Sequence, residues 1–194
     1  VPLGAGFTKR DGEFDEIGAR LGVRGGENKT ANKVKVEYNS GLIGDEMEVW
    51  NLEAAANMGP VHLMAEYFDG EVSGPSGTPD MEADGYYFQA GWIVTGESRS
   101  YKNGIAAFDK VKPKGPGGAW EVFARFDSLD VTGGDNSPLL DVTGEEGETL
   151  TFGVNWYVNS AVKIALNYVH AETDTQLNSE DDGDALTARL QIAY

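Results

Sequence analysis

The chain has 194 residues, with 32 acidic against 15 basic side chains and a net charge of -17 at pH 7. That length is enough for one domain with a large core, and that charge argues against non-specific nucleic-acid binding, so no nucleic-acid partner is expected. Cysteine is absent, which removes disulfides, thiolate metal sites and cysteine nucleophiles.

No apolar run reaches the ~18 residues of a transmembrane helix, but a transmembrane barrel stays open because its strands alternate and average out as polar. The chain begins at Val1 without an initiator Met, so a processed or partial protein is expected. Period-two patterning dominates. The first alternating stretch is 15–24, with Ile17, Ala19, Leu21 and Val23 on one parity and Arg20 and Arg24 on the other. Next come 46–58, with Trp50, Leu52, Ala54 and Ala56 opposite Asn51 and Glu53, and 61–69, with Val61, Leu63, Ala65 and Tyr67 opposite His62 and Glu66. "EVWNLEAAANM" is the best helical candidate, yet it alternates too and stops at Gly59-Pro60. Strands are then predicted over 85–95 (Tyr86, Phe88, Ala90, Trp92), 118–128 (Trp120, Val122, Ala124, Phe126) and 148–158 (Leu150, Phe152, Val154, Trp156). The last two are 161–171 (Val162, Ile164, Leu166, Tyr168) and 184–194 (Leu186, Ala188, Leu190, Ile192, Tyr194). Most span ~10 residues, which suits a tilted crossing of a bilayer; strands of soluble sheets more often have ~5–6.

The connections alternate in length. "NMGP" and "VNSA" are tight, whereas 70–84, 129–147 and 172–183 are long and rich in Asp, Glu, Gly and Ser. Short turns at one rim and long loops at the other describe an outer-membrane barrel. The stretch "GESRSYKNGIAAFDKVKPKGPGG" is too long for the short-turn rim; it is an insertion there or a missed strand pair.

The alternation fits a soluble barrel or sandwich with an apolar core as well as a membrane barrel with the sides reversed. Three features favour the membrane. Trp50, Tyr67, Tyr86, Trp120, Trp156, Tyr168 and Tyr194 fall near strand ends, where an interfacial girdle needs amphipathic rings. The apolar rows mix Ala with large residues, which lipid tolerates better than a close-packed core does. The chain also ends on a strand, without a polar tail. The fold expected is all-β, an antiparallel transmembrane β-barrel.

In that fold the opposite parity lines the lumen. Arg20, Arg24, Arg125, Lys163 and Arg189 are its basic candidates; Glu53, Glu66, Glu121 and Asp127 are its acidic ones. Two roles are open to them: steering anions through a low-dielectric constriction, or pairing across strands to stiffen the wall. Basic residues Arg99, Lys102, Lys110, Lys112 and Lys114 mark the long rim segment, which reads as a soluble turn or an anion funnel. Asn178, Glu180, Asp182 and Gly183 imitate the start of an EF-hand loop, but its twelfth position is Arg189, so no metal site is expected.

Catalytic signals are poor. His62 and His170 lie on different strands, and His62, on the polar parity beside Glu66, reads as a structural hydrogen-bonding group. "GPSGT" misses the nucleophile elbow, and "GGENKT" lacks the Gly-Lys-Ser/Thr of a phosphate loop. Nothing fixes the separation of Glu53 and Glu66 for glycosidase chemistry. No enzyme activity and no cofactor are expected.

"GYYFQAGWIVTGESRSYKNG", "VKPKGPGGAWEVFARFDSLD", "LTFGVNWYVNSAVKIALNYVHAETD" and "GDALTARLQIAY" resemble the C-terminal half of the phosphate-selective porin O and P family, and "WNLEAAANMGPVHLMAEYF" resembles the strand pair before them. The likeness covers roughly residues 46–194 and is weak before that. It implies a homotrimeric outer-membrane porin for passive diffusion of small anions such as phosphate, in contact with outer-membrane lipid and lipopolysaccharide. Such barrels have ~16–18 strands, so residues 1–194 would form one β-barrel domain or the C-terminal half of one. The resemblance also makes the long rim segment part of the family pattern. The family's anion-binding basic residues lie mostly in the other half, so none is carried over. Two alternatives remain: a small closed eight-stranded outer-membrane barrel with a structural or adhesion role, and a soluble ligand-binding barrel.

Overall fold

The computed structural model describes residues 1–14, 20–22, 35–37, 44–74, 80–102, 104, 107–133, 145–175 and 178–193. Among these the strands are β1 (Leu3–Phe14), β2 (Arg20–Gly22), β3 (Lys35–Glu37), β4 (Gly44–Met58), β5 (Val61–Ser73), β6 (Met81–Ile93), β7 (Tyr101–Lys102), β8 (Ala107–Phe108), β9 (Ala119–Gly133), β10 (Glu145–Tyr157), β11 (Val162–Thr175) and β12 (Asn178–Ile192). Eight of them form one antiparallel meander in the order β1-β4-β5-β6-β9-β10-β11-β12, while β2-β3 and β7-β8 are separate two-stranded ribbons. Among the described residues the meander is open, with β1 and β12 at its edges.

The wall strand before β4 is β1 and not the predicted stretch 15–24, of which only Arg20–Gly22 is described, in the β2-β3 ribbon. The alternation misleads there because β1 dilutes its own pattern. Its apolar parity runs Leu3, Ala5, Phe7 and then turns to Lys9 and Asp11, while Gly4 and Gly6 blur the other parity. Pairing with β4, from Leu3 opposite Ala54 to Phe14 opposite Gly44, supplies the missing definition. The other predicted strands are present and longer than predicted. β5 and β6 pair out to Val72 and Met81, and β9 and β10 out to Val131 and Glu145. Their acidic ends carry no hydrophobic signal, but the backbone ladder needs none. The rim segment is an insertion, since β6 pairs directly with β9 down to Ile93 opposite Glu121.

Local chemistry closes the tight turns. Gly59 takes φ 63° in a two-residue hairpin loop, a left-handed conformation that suits glycine. In the other turn the Asn159 Oδ1 accepts hydrogen bonds from the backbone N–H groups of Ala161 (2.8 Å) and Val162 (2.9 Å).

The burial pattern is inverted relative to a soluble protein. Phe152 is 51% exposed and Leu190 63%, and Leu52, Phe88, Trp92 and Leu166 of the same face are also exposed. On the other face His62 and Glu121 are each 1% exposed. An apolar face this large on water marks a membrane or partner surface, which is incompatible with the soluble ligand-binding barrel.

The edge of the apolar face gives the strand tilt. On β4 it ends at Trp50, with Glu48 beyond; on β12 it ends at Leu186, with Asp184 beyond. Following the register from Leu186 through Tyr168, Phe152, Ala124, Ala90 and Leu63 leads to Ala56, six residues along β4 from Trp50. Six residues at ~3.3 Å make ~20 Å, and six inter-strand spacings at ~4.8 Å make ~29 Å. If that edge is level, the strands lean by about 35°, within the range of transmembrane barrels.

Candidate functional site

The polar face carries two clusters. The first lies at the short-turn rim, where the described residues of 94–118 fold back onto the wall. Their anchor is apolar: Val111 packs with Ile93 and Ala119, and Tyr157 packs against the group. Beside it Glu121 is ringed by partners from two strands and the segment. Its Oε1 lies 3.0 Å from His62 Nε2 on β5 and 3.7 Å from Arg99 Nη1. Its Oε2 accepts hydrogen bonds from Asn155 Nδ2 (3.0 Å) and the Tyr157 hydroxyl on β10. Phe108 lies edge-on to the His62 ring at 5.5 Å, and the Arg99 guanidinium sits 5.4 Å from the Phe108 ring centre.

Gly91 makes this cluster possible. β6 runs between β5 and β9, and Gly91 stands opposite His62 on one side and Phe123 on the other. A Cβ there would overlap the His62 ring and lie 3.1 Å from Glu121 Oε1. The glycine therefore leaves the gap through which two non-adjacent strands exchange a hydrogen bond.

Within the segment, burial pushes the Glu97 carboxyl up, but hydrogen bonds from the Thr95 hydroxyl and the Lys114 backbone N–H (3.0 Å) outweigh it and hold the group below the usual carboxylate range. Asp109 is held low by the Lys102 ammonium at 2.9 Å and by the Lys110 backbone N–H.

The second cluster lies farther along the wall. Arg125 donates through Nε (2.8 Å) and Nη2 to Asp127, which also accepts from Thr149 Oγ1 (3.2 Å). The Arg125 guanidinium lies 3.8 Å from the Tyr87 ring centre. Glu66 accepts from Asn51 Nδ2 at 3.0 Å, and Glu53 stands opposite Glu66 across β4 and β5. Lys163 lies 5.7 Å from the Tyr157 ring and within electrostatic reach of Glu121, Arg99 and Arg189. Arg189 is exposed on the edge strand. The Arg20 side chain and the whole of Arg24 and Tyr194 lie outside the described residues.

His62 pairs with Glu121, not with its neighbour along the strand, Glu66. Parity alone already put His62 and Glu121 on the polar face; finding them together required the register. Arg99 carried no signal of its role.

On the other face the aromatic candidates fall near two edges. At the long-loop side Trp50 donates Nε1–H to Asp69 (3.0 Å) and packs 5.3 Å from Tyr67; Tyr86 lies 5.9 Å from Phe126, and the Tyr168 hydroxyl donates to Asp184 (2.7 Å). At the short-turn side Trp120 and Trp156 stack at 5.3 Å, and Trp156 Nε1–H donates to the Gly117 carbonyl (2.9 Å). Trp92, predicted on the apolar row but not among the girdle candidates, joins this edge. The polar atoms of Trp50, Tyr168 and Trp156 thus bond to groups at a rim, as those of interfacial aromatics do.

A tilted meander with an exposed apolar face, aromatic edges and an ionic opposite face is the wall of a transmembrane β-barrel. The profile of the family "Phosphate-selective porin O and P" matches residues 1–194, and the chain belongs to that family. It is 39% identical over 214 residues to Porin O of Pseudomonas aeruginosa, a match covering 99% of this chain and 49% of that protein. The chain thus spans about half the length of the curated relative it matches. Family membership places it in the bacterial outer membrane.

Proposed function

We propose that the whole protein is a water-filled outer-membrane channel for passive diffusion of small anions such as phosphate. The observation that carries this reading is the reversed burial, an apolar row facing out and an ionic row facing in. The family and the likeness to Porin O support it. In this reading Arg125, Lys163 and Arg189 are the basic wall groups and Glu53, Glu66, Glu121 and Asp127 the acidic ones, with Arg20 and Arg24 assigned to the lumen from sequence. The Arg125–Asp127 and Glu121–His62–Arg99 contacts make much of that charge structural. Lys163 and Arg189 are then the better anion-steering groups. The aromatic set, with Tyr194 assigned from sequence, sits at the two membrane boundaries. A homotrimer in lipopolysaccharide-containing outer leaflets is the assembly the family implies.

The test is a planar-bilayer recording of the full-length protein across a KCl gradient. Ohmic open channels with an anion-selective reversal potential are expected. Channels selective for cations would overturn the anion assignment, and no conductance would favour the small closed barrel.

A further inference from the structure

We propose that Glu121 and His62 are positioning residues: with Arg99 they latch the 94–118 segment inside the lumen, and this ionic latch sets the inner width of the pore. The proposal rests on the channel reading above.

The apolar anchor of the segment is small, being Val111 against Ile93, Ala119 and Tyr157, with Phe108 laid on the His62 ring. A residue-poor apolar contact of this kind permits several dockings, whereas a charge cluster with directional bonds permits few. Every element around Glu121 contributes. β5 gives His62 at 3.0 Å, the segment gives Arg99 at 3.7 Å, and β10 gives Asn155 and Tyr157. β11 adds the Lys163 ammonium, which in turn feels Arg189 on β12. The site is also built at a cost. Gly91 is kept without a side chain to let His62 and Glu121 meet, and His62 Nδ1 and Arg99 Nε are buried without a hydrogen-bond partner among the described residues. Wall stiffness alone explains none of this, because β5, β6 and β9 are already joined by continuous ladders. What the cluster adds is a grip on Arg99, the one member that belongs to the segment. Glu121 keeps His62, Asn155 and Tyr157 when Arg99 is removed, whereas the segment loses its charged contact with the wall cluster, so the segment undocks.

The experiment uses the full-length protein and the variants Arg99→Gln, Arg99→Lys, Glu121→Gln and Gly91→Ala, each checked for barrel assembly by heat-dependent gel mobility. Arg99 is the partly exposed member, its side chain 22% accessible, so Arg99→Gln is the variant least able to disturb assembly. Two readouts are taken. Trypsin cleavage after Lys110 needs its buried neighbour Val111 to leave the wall, so it follows the undocked population. Single-channel conductance reports the width. Arg99→Gln, Glu121→Gln and Gly91→Ala are expected to cleave at least about tenfold faster, since cleavage tracks that population. Their conductance should rise on the order of twofold, as relief of a series constriction predicts. Arg99→Lys, which keeps the charge, should stay near wild type. Assembled Arg99→Gln channels with wild-type cleavage and conductance overturn the latch. Wild-type protein that conducts nothing ends the channel reading, while the cleavage comparison still decides whether the cluster holds the segment.

Discussion

Replacing Phe152 by Arg tests the direction in which the apolar row points. On β10 the row runs Leu150, Phe152, Val154, Trp156, with Glu148 beyond its outer end. Phe152 is therefore near the middle of the band and half exposed. Glu148 is four residues away on the same face, ~13 Å along the strand and ~11 Å in height at a 35° lean. That distance is close to half the ~25 Å apolar band of an outer-membrane barrel, so Glu148 sits at the edge of the band, near the headgroups. An Arg at Phe152 should cost about 2–4 kcal/mol, the midplane penalty for a cation on a barrel's lipid face. An Arg at Glu148 should change stability by no more than about 0.5 kcal/mol, the usual size of a surface substitution. The assay is reversible denaturant unfolding of the full-length protein in phospholipid vesicles, with the two variants measured side by side. A gap of about 2 kcal/mol or more is expected. If Phe152→Arg costs no more than Glu148→Arg, the row faces water and the membrane reading fails. If Phe152→Ala alone costs about 3–5 kcal/mol, the value for a packed protein core, the ring is buried against protein and not lipid.

Further outcomes follow from the two clusters and the turns. Arg125→Ala leaves Asp127 with Thr149 as its hydrogen-bond donor and adds net negative charge to the wall, so the reversal potential of the full-length channel should move toward cations; an unmoved potential would make the Arg125–Asp127 pair purely structural. Glu97 lies outside the membrane-spanning strands and its folded pKa is depressed. The stability it gives the segment is therefore complete above the ordinary glutamate value of ~4.3 and is lost as pH falls through the lower folded value. Hydrogen exchange at the Lys114 amide, which donates to Glu97, should keep its protection down to that range and lose it below; protection lost already near neutrality would contradict this. Asn159→Ala removes the acceptor for two backbone N–H groups and should destabilise the barrel by about 1 kcal/mol. Gly59→Ala puts a Cβ on a residue at φ 63° and should cost about 1 kcal/mol in the same unfolding assay, with wild-type stability in both variants removing the turn argument.

What the sequence yields and what it withholds follow from the range of the interactions involved. Alternation is a property of neighbours along one strand, so the face of Phe152, Leu190, His62 and Glu121 was readable before any pairing was known. β1 was not readable, because Gly4, Gly6, Lys9 and Asp11 erase the contrast on both parities and only pairing with β4 restores it. The acidic strand ends were read as loop for a related reason: hydrophobic patterning reports burial, and those ends are held by backbone ladders alone. The latch is the least legible feature. It depends on a third strand being empty at the right rung, with Gly91 between His62 and Glu121, and on Arg99 arriving from a segment with no periodicity. In one dimension Gly91 is indistinguishable from any glycine in a strand, and its meaning appears only when register turns a missing side chain into a passage. Lumen side chains of a barrel wall therefore need to be read across rungs rather than along strands, with glycines marking where contacts skip a strand. Gly153 repeats the pattern in the same wall, where a Cβ would overlap the Phe123 ring from β9 and meet Asn167 Oδ1 of β11 at 2.6 Å.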